Sequence, residues 1–192
     1  RLSWADTTWA EPGAKEKADQ YLARSDEYVA GGLGMLLYGG QGSGKTAIAI
    51  LILKALLAQG HDGFFTTFNE MLDLFTSGWY DADEKRWFHR RVKNAGVLVV
   101  DDPGKEMKGR TEMPQAILDE IVRHRVAGAR PTIVTTNDTL ARFEERYGQY
   151  VMSLLRERST TYQFVGGDSR DAARLRFHQE VEMGLRRPLV LT

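Results

Sequence analysis

The sequence contains no cysteine. Disulfide frameworks and thiolate-bound metals are therefore excluded, and the expected setting is a reducing cytoplasm. Net charge is missing too: 26 Lys and Arg balance 26 Asp and Glu. No global field draws the chain to nucleic acid or to a membrane, so any such contact must be a local patch. Long apolar runs are absent. The longest, over 47–57, is helix-sized and carries Lys54, which leaves nothing able to span a bilayer. The chain opens on Arg1 without Met or a signal-like segment. Repeats and low-complexity stretches are lacking as well. What remains is ordinary for one folded domain with a sizeable core: 42% apolar and 27% charged residues in a chain of 192.

Short apolar runs alternate with longer helical periods, which predicts an α/β fold on a largely parallel sheet. Strands are expected over 35–38 (MLLY), 64–67 (FFTT), 97–100 (VLVV), 132–136 (TIVTT) and 162–165 (YQFV). The unbroken VLVV run suits a central strand buried on both faces. Helices are expected over 44–59, 69–75, 82–93, 112–126, 140–145, 149–157 and 171–183. In the fourth of these Ile117, Leu118, Ile121, Val122 and Val126 share one face, with Thr111 to cap it and Gly128 to end it.

Between the first strand and the first of these helices lies Gly39-Gly40-Gln41-Gly42-Ser43-Gly44-Lys45-Thr46. It satisfies G-x-x-x-x-G-K-[ST] at every fixed position, with a strand before it and a helix after it. Its glycines let backbone N–H groups turn inward around phosphate, and the helix N-terminus adds partial positive charge. Lys45 would reach the β- and γ-phosphates, and the Thr46 hydroxyl would ligate Mg²⁺.

The third strand ends in Asp101-Asp102, where open α/β sheets place their ligands. Asp101 would hold the metal and Asp102 would polarise an attacking water. Solvated strand-end acids would look the same. The fourth strand ends in Thr135-Thr136-Asn137. Asn137 can sense a γ-phosphate or position water through its amide; equally, Asn137-Asp138 can cap the next helix.

With these motifs in place the chain resembles the AAA+ ATPase domain of DnaC/DnaI-type replicative helicase loaders and their relative IstB, a transposition helper ATPase. The resemblance rests on LLYGGQGSGKT, FFTTFNEMLDLF, VLVVDDPGKE, ILDEIVRHRVAGARPTIVTTND and ERYGQYVMSLLRER, and runs over about 9–170. It implies a P-loop NTPase of AAA+ type with a rudimentary helical lid, binding ATP with Mg²⁺. No Asn-Lys-x-Asp guanine signal opposes adenine. It further implies a self-oligomer with ATP between subunits, single-stranded DNA as ligand and a hexameric helicase as partner. An arginine finger from a neighbour belongs in the helix after Tyr147-Gly148-Gln149-Tyr150. The register puts Leu154 at that position, so Arg156, followed by Arg158, is the candidate; a surface arginine on an amphipathic helix is the alternative. Arg170 matches the second-sensor arginine, or simply starts a helix. The expected division is an N-terminal segment 1–33, a core 34–170 and a tail 171–192, with a partner-binding region preceding Arg1 in the full protein.

Lys85, Arg86, Arg90, Arg91 and Lys93 cluster with Trp79, Tyr80, Trp87 and Phe88. Cations with interleaved aromatics suit single-stranded DNA; a helix with buried aromatics and solvated cations fits equally. Lys105, Lys108 and Arg110 form a second candidate, and Trp4 or Trp9 could pack near adenine or in the core. Three other functions share the loop. A transposition helper would have the same chemistry and a different partner. A small-molecule kinase would need an acceptor pocket, whereas the acid pair with Asn137 suits water attack. A non-hydrolysing adaptor would bind ATP without turnover.

Overall fold

The computed structural model describes residues 13–104, 112–167 and 170–184. Its centre is a parallel sheet of five strands, β1 (Gly34–Gly39), β2 (Gly63–Thr67), β3 (Val97–Asp101), β4 (Thr132–Thr136) and β5 (Ser159–Phe164). They lie in the order β2-β3-β4-β1-β5. Alternate side chains feed two cores, as the period of a strand requires. Met35, Leu37, Val97, Val99 and Ile133 pack with α1 (Ala14–Ala23) and α3 (Lys45–Ala58). Leu36, Leu98, Val100 and Val134 pack with α4 (Phe68–Ser77), α6 (Glu112–Ala127), α7 (Leu140–Tyr147) and α8 (Gln149–Arg158). Three layers result, each fully buried Leu, Ile or Val contributing about 1.5–3 kcal/mol.

Because every pairing is parallel, the strands' C-terminal ends gather on one side. Asp101 stands beside Thr135, and Tyr38 beside Thr136. The phosphate loop, the acid pair and Asn137 therefore share one edge of the sheet.

The sequence left 1–33 undivided, yet α1 and a short α2 (Ser25–Ala30) form there. Ala14, Ala18 and Tyr21, at helical spacing, are buried in the α3 core. Tyr21 Oη donates to Leu33 O at 2.7 Å, pinning this pair to the foot of β1. The helix expected over 82–93 is instead α5 (Ala82–Phe88) continued by a π-helical turn, His89–Lys93, which Asn94 N closes on His89 O at 2.9 Å. β5 begins at Ser159, earlier than its apolar residues suggest, because an edge strand needs no apolar outer face. One helix, α9 (Arg170–Glu182), follows β5 among the described residues.

Arg125 explains the π-turn. This α6 side chain is fully buried. Nη1 donates to Val92 O (3.0 Å), Lys93 O (3.3 Å) and Ala95 O (2.9 Å). Nη2 reaches Pro131 O (2.7 Å) and Gly96 O (3.4 Å), and Nε reaches Thr132 Oγ1 (2.9 Å). The wider π-turn aims the Val92 and Lys93 carbonyls at the guanidinium. Burial, with Arg130 nearby, pulls its pKa down to about 9, so it stays charged at neutral pH. One cation thus gathers the segments that enter β3 and β4.

Candidate nucleotide site

The loop from Gly39 to Thr46 leaves β1 and enters α3. Gly39 has φ 135°, and a Cβ there would stand 2.1 Å from Phe164 O of β5. Only glycine lets the loop start this close to the neighbouring strand. Gly42 (φ 73°) and Gly44 (φ 96°) also take the left-handed region. Apart from its chain neighbours and the helix's own backbone, no described atom lies within 4 Å of where a Cβ on Gly44 would be, which leaves room beside the α3 N-terminus. The first N–H groups of a helix have no partner within it, and an N-terminus of this kind suits phosphate. Lys45 is buried, its Nζ donating to Gly40 O (2.6 Å), Gly39 O (3.0 Å) and Ser43 Oγ (3.2 Å). Ser43 Oγ in turn donates to Gly40 O at 2.7 Å. The ammonium therefore spans its own loop, where phosphate oxygens could replace these acceptors. Gln41 is exposed at the tip.

Across the sheet edge, the carboxylates meet hydroxyls. Thr46 Oγ1 donates to Asp101 Oδ1 at 2.7 Å, and Thr135 Oγ1 donates to the same oxygen at 2.5 Å. A threonine hydroxyl beside a buried carboxylate is a hard-oxygen donor pair, the chemistry that fits Mg²⁺. Asp102 turns left-handed (φ 58°), and Asn137 Nδ2 donates to its Oδ1 at 2.6 Å. Asn137 therefore meets the second acid directly, while Thr139 rather than Asn137 caps α7, accepting from Arg142 N. Asp138 joins Arg146 (Nε to Oδ2 3.3 Å), tying the strand end to α7.

Sequence reasoning missed the hydroxyls of β4. Thr136 Oγ1 donates to Pro103 O at 3.1 Å, and Thr135 bonds both acids' residues. Paired threonines at a strand end facing an acid pair were the available signal.

Arg156 lies on α8, more than half exposed, with Nη2 3.5 Å from Glu144 Oε2; Arg158 Nε lies 3.1 Å from Glu157 Oε1. Arg170 begins α9, and its side chain is outside the described residues. Lys105, Lys108 and Arg110, like Trp4 and Trp9, also fall outside them.

The first basic cluster divides. Phe88 is buried in the core, Trp87 is half-buried and packs edge-on against Phe64 (5.4 Å), and buried Lys93 pairs with the half-exposed Glu120. Lys85, Arg86, His89 and Arg90 line an open groove of about 630 Å³. Arg91 is exposed outside its lining. Trp79 and Tyr80 project at the α4–α5 turn, Tyr80 91% exposed.

A family model described as IstB-like ATP binding protein matches residues 5–158. The replicative helicase loader DnaC of Escherichia coli (strain K12) is 24% identical over 157 residues, 81% of this chain and 62% of that protein. The chain thus spans about three-fifths of the length of the curated relatives it matches. A crystal structure of the DnaC helicase loader superposes with a TM-score of 0.72 at 23% identity, covering 82% of this chain and 92% of that one. The replication initiator DnaA bound to AMPPCP and single-stranded DNA gives a TM-score of 0.68 at 13% identity, over 98% and 58% of the two chains. Together with the family match and the phosphate loop, these likenesses identify a P-loop NTPase fold of AAA+ type.

Proposed function

Since the chain belongs to the IstB-like ATP-binding protein family, we propose that it is an ATP-hydrolysing switch that delivers a replicative hexameric helicase to single-stranded DNA. The observation that carries this reading is the meeting of three motifs at one sheet edge: Thr46 on Asp101, and Asn137 on Asp102. A loop that only plugged phosphate would not need a second acid held by a sensor-like amide.

The backbone N–H groups of Gly39 to Thr46 and the Lys45 ammonium bind the phosphates. Thr46 and Asp101 hold Mg²⁺, which when bound offsets phosphate charge. Asp102 accepts the proton of the attacking water, a role worth about 10²–10⁴ in rate. Asn137 orients that carboxylate and reads the γ-phosphate. Arg156, exposed on α8, enters the site of a neighbouring copy as its arginine finger, an effect of about 10³–10⁵ in well-studied cases. Arg170 contacts the γ-phosphate within its own chain. Single-stranded DNA follows the groove of Lys85, Arg86 and Arg90, with Arg91 adding charge and Tyr80 stacking on a base. The family match also favours a helper ATPase acting on a transposase, with the same site and another partner.

The test is ATP turnover by the full-length protein alone, with single-stranded DNA and with its helicase. Stimulated turnover that disappears in Lys45→Ala and Asp102→Asn is expected. Tight ATP binding without turnover in every condition would leave an ATP-stabilised adaptor and end the hydrolytic reading.

A further inference from the structure

We propose that Thr135 is a positioning residue that aligns both acids for magnesium–nucleotide binding; this rests on the ATP site described above. Thr135 lies in β4, between β3 and β1, and is 1% exposed. Valine would fill the same space and suit a strand at least as well. The hydroxyl must therefore be explained.

A threonine hydroxyl has one proton and two lone pairs. Here its proton goes to Asp101 Oδ1 at 2.5 Å. Its oxygen accepts from Asp102 N at 3.1 Å, an N–H that also reaches Thr135 O at 3.1 Å. A single group thus fixes the carboxylate of the first acid and the backbone of the second. The second point matters because the chain leaves the sheet left-handed at Asp102. Thr46 bonds the same Oδ1 but belongs to the nucleotide loop. Thr135 belongs to the sheet. Asp101 therefore has one donor that can respond to nucleotide and one that cannot. The sheet donor keeps the carboxylate aimed at the cation position whatever the loop does. Removing partners of this kind costs about 10–100-fold in metal affinity or activity.

The experiment is a magnesium titration of a fluorescent ATP analogue binding to wild type, Thr135→Val and Thr135→Ser, with a parallel series in EDTA. Thr135→Val should bind nucleotide like wild type in EDTA, which also shows that the loop is folded. The magnesium needed for half-maximal tightening should rise about 10-fold or more, and Thr135→Ser should restore it. Wild-type magnesium dependence in Thr135→Val overturns the proposal. So does a Thr135→Ser variant as impaired as Thr135→Val, since packing would then be the cause. Wild type that binds magnesium and nucleotide but never turns over defeats the hydrolytic reading alone and leaves this test intact. Where turnover is measurable, Thr135→Val should raise KM for the magnesium complex by a similar factor, about 10-fold, and Thr135→Ser should restore it.

Discussion

Two buried charges sit at opposite ends of the same pair of strands. Arg125 lies where β3 and β4 begin, and Asp101 lies where β3 ends. Each takes a hydroxyl from β4, Thr132 for the cation and Thr135 for the anion. They differ in how far they are satisfied. Arg125 spends all three nitrogens on five carbonyls and a hydroxyl. For Asp101, both bonds donated among the described residues reach Oδ1. A charge surrounded on every side is part of the scaffold. Asp101 instead shares its oxygen between the sheet and the phosphate loop, through Thr135 and Thr46.

Substitution should separate the two sharply. Arg125→Met leaves several buried carbonyls without a donor and should cost about 3–5 kcal/mol in denaturant unfolding. Arg125→Lys should recover only part, because an ammonium cannot reproduce the fork. Asp101→Asn should change stability by less than about 1 kcal/mol while lowering turnover at least ~10²-fold. Equal destabilisation by both variants would erase the distinction between scaffold and site.

A weaker contrast sets this buried edge against the exposed groove of α5. Charges there act through water and should be additive and salt-sensitive. Neutralising Lys85, Arg86 and Arg90 together should flatten the salt dependence of single-strand binding, by a log–log slope of about 0.7 for each phosphate that no longer meets a cation. Tyr80→Ala should weaken binding by about 1–3 kcal/mol with no change in that slope. Fluorescence titrations at several salt concentrations distinguish the two effects. If the charge variants bind as wild type does, the groove is a solvated face.

The smallest effect concerns His89 and His124. Burial and neighbouring cations, Lys93 first among them, lower both pKa values below the ordinary 6.5. Between their folded values and 6.5 the unfolded chain holds more protons. Stability should therefore fall as pH drops from about 6.5, levelling once both folded imidazoles are charged. His89→Gln with His124→Gln should flatten this part of a pH–unfolding profile.

The sequence made the phosphate loop legible because that motif is local: glycines, lysine and threonine within one turn, flanked by a strand and a helix. The strand pattern was legible for the same reason. Arg125 was not. It ends an amphipathic helix, where a cation reads as solvated, and its acceptors come from two other chain segments, 92–96 and 131–132. The π-turn followed from it and was hidden equally. α1 was missed because its buried face is made of two alanines and one tyrosine, a faint stripe until α3 lies beneath it. Asn137 had two readings of similar weight in the sequence. The geometry gives capping of α7 to Thr139 and brings Asn137 to Asp102.

The left-handed turn at Asp102 carries one more consequence. Aspartate and asparagine enter that region of backbone space more readily than longer side chains do. The second acid of the pair is a short residue at a peptide that bends the rarer way. A glutamate at this position would set the reach of the carboxylate against the hand of the turn. Side-chain length and backbone handedness are coupled at residue 102, so a change in one strains the other.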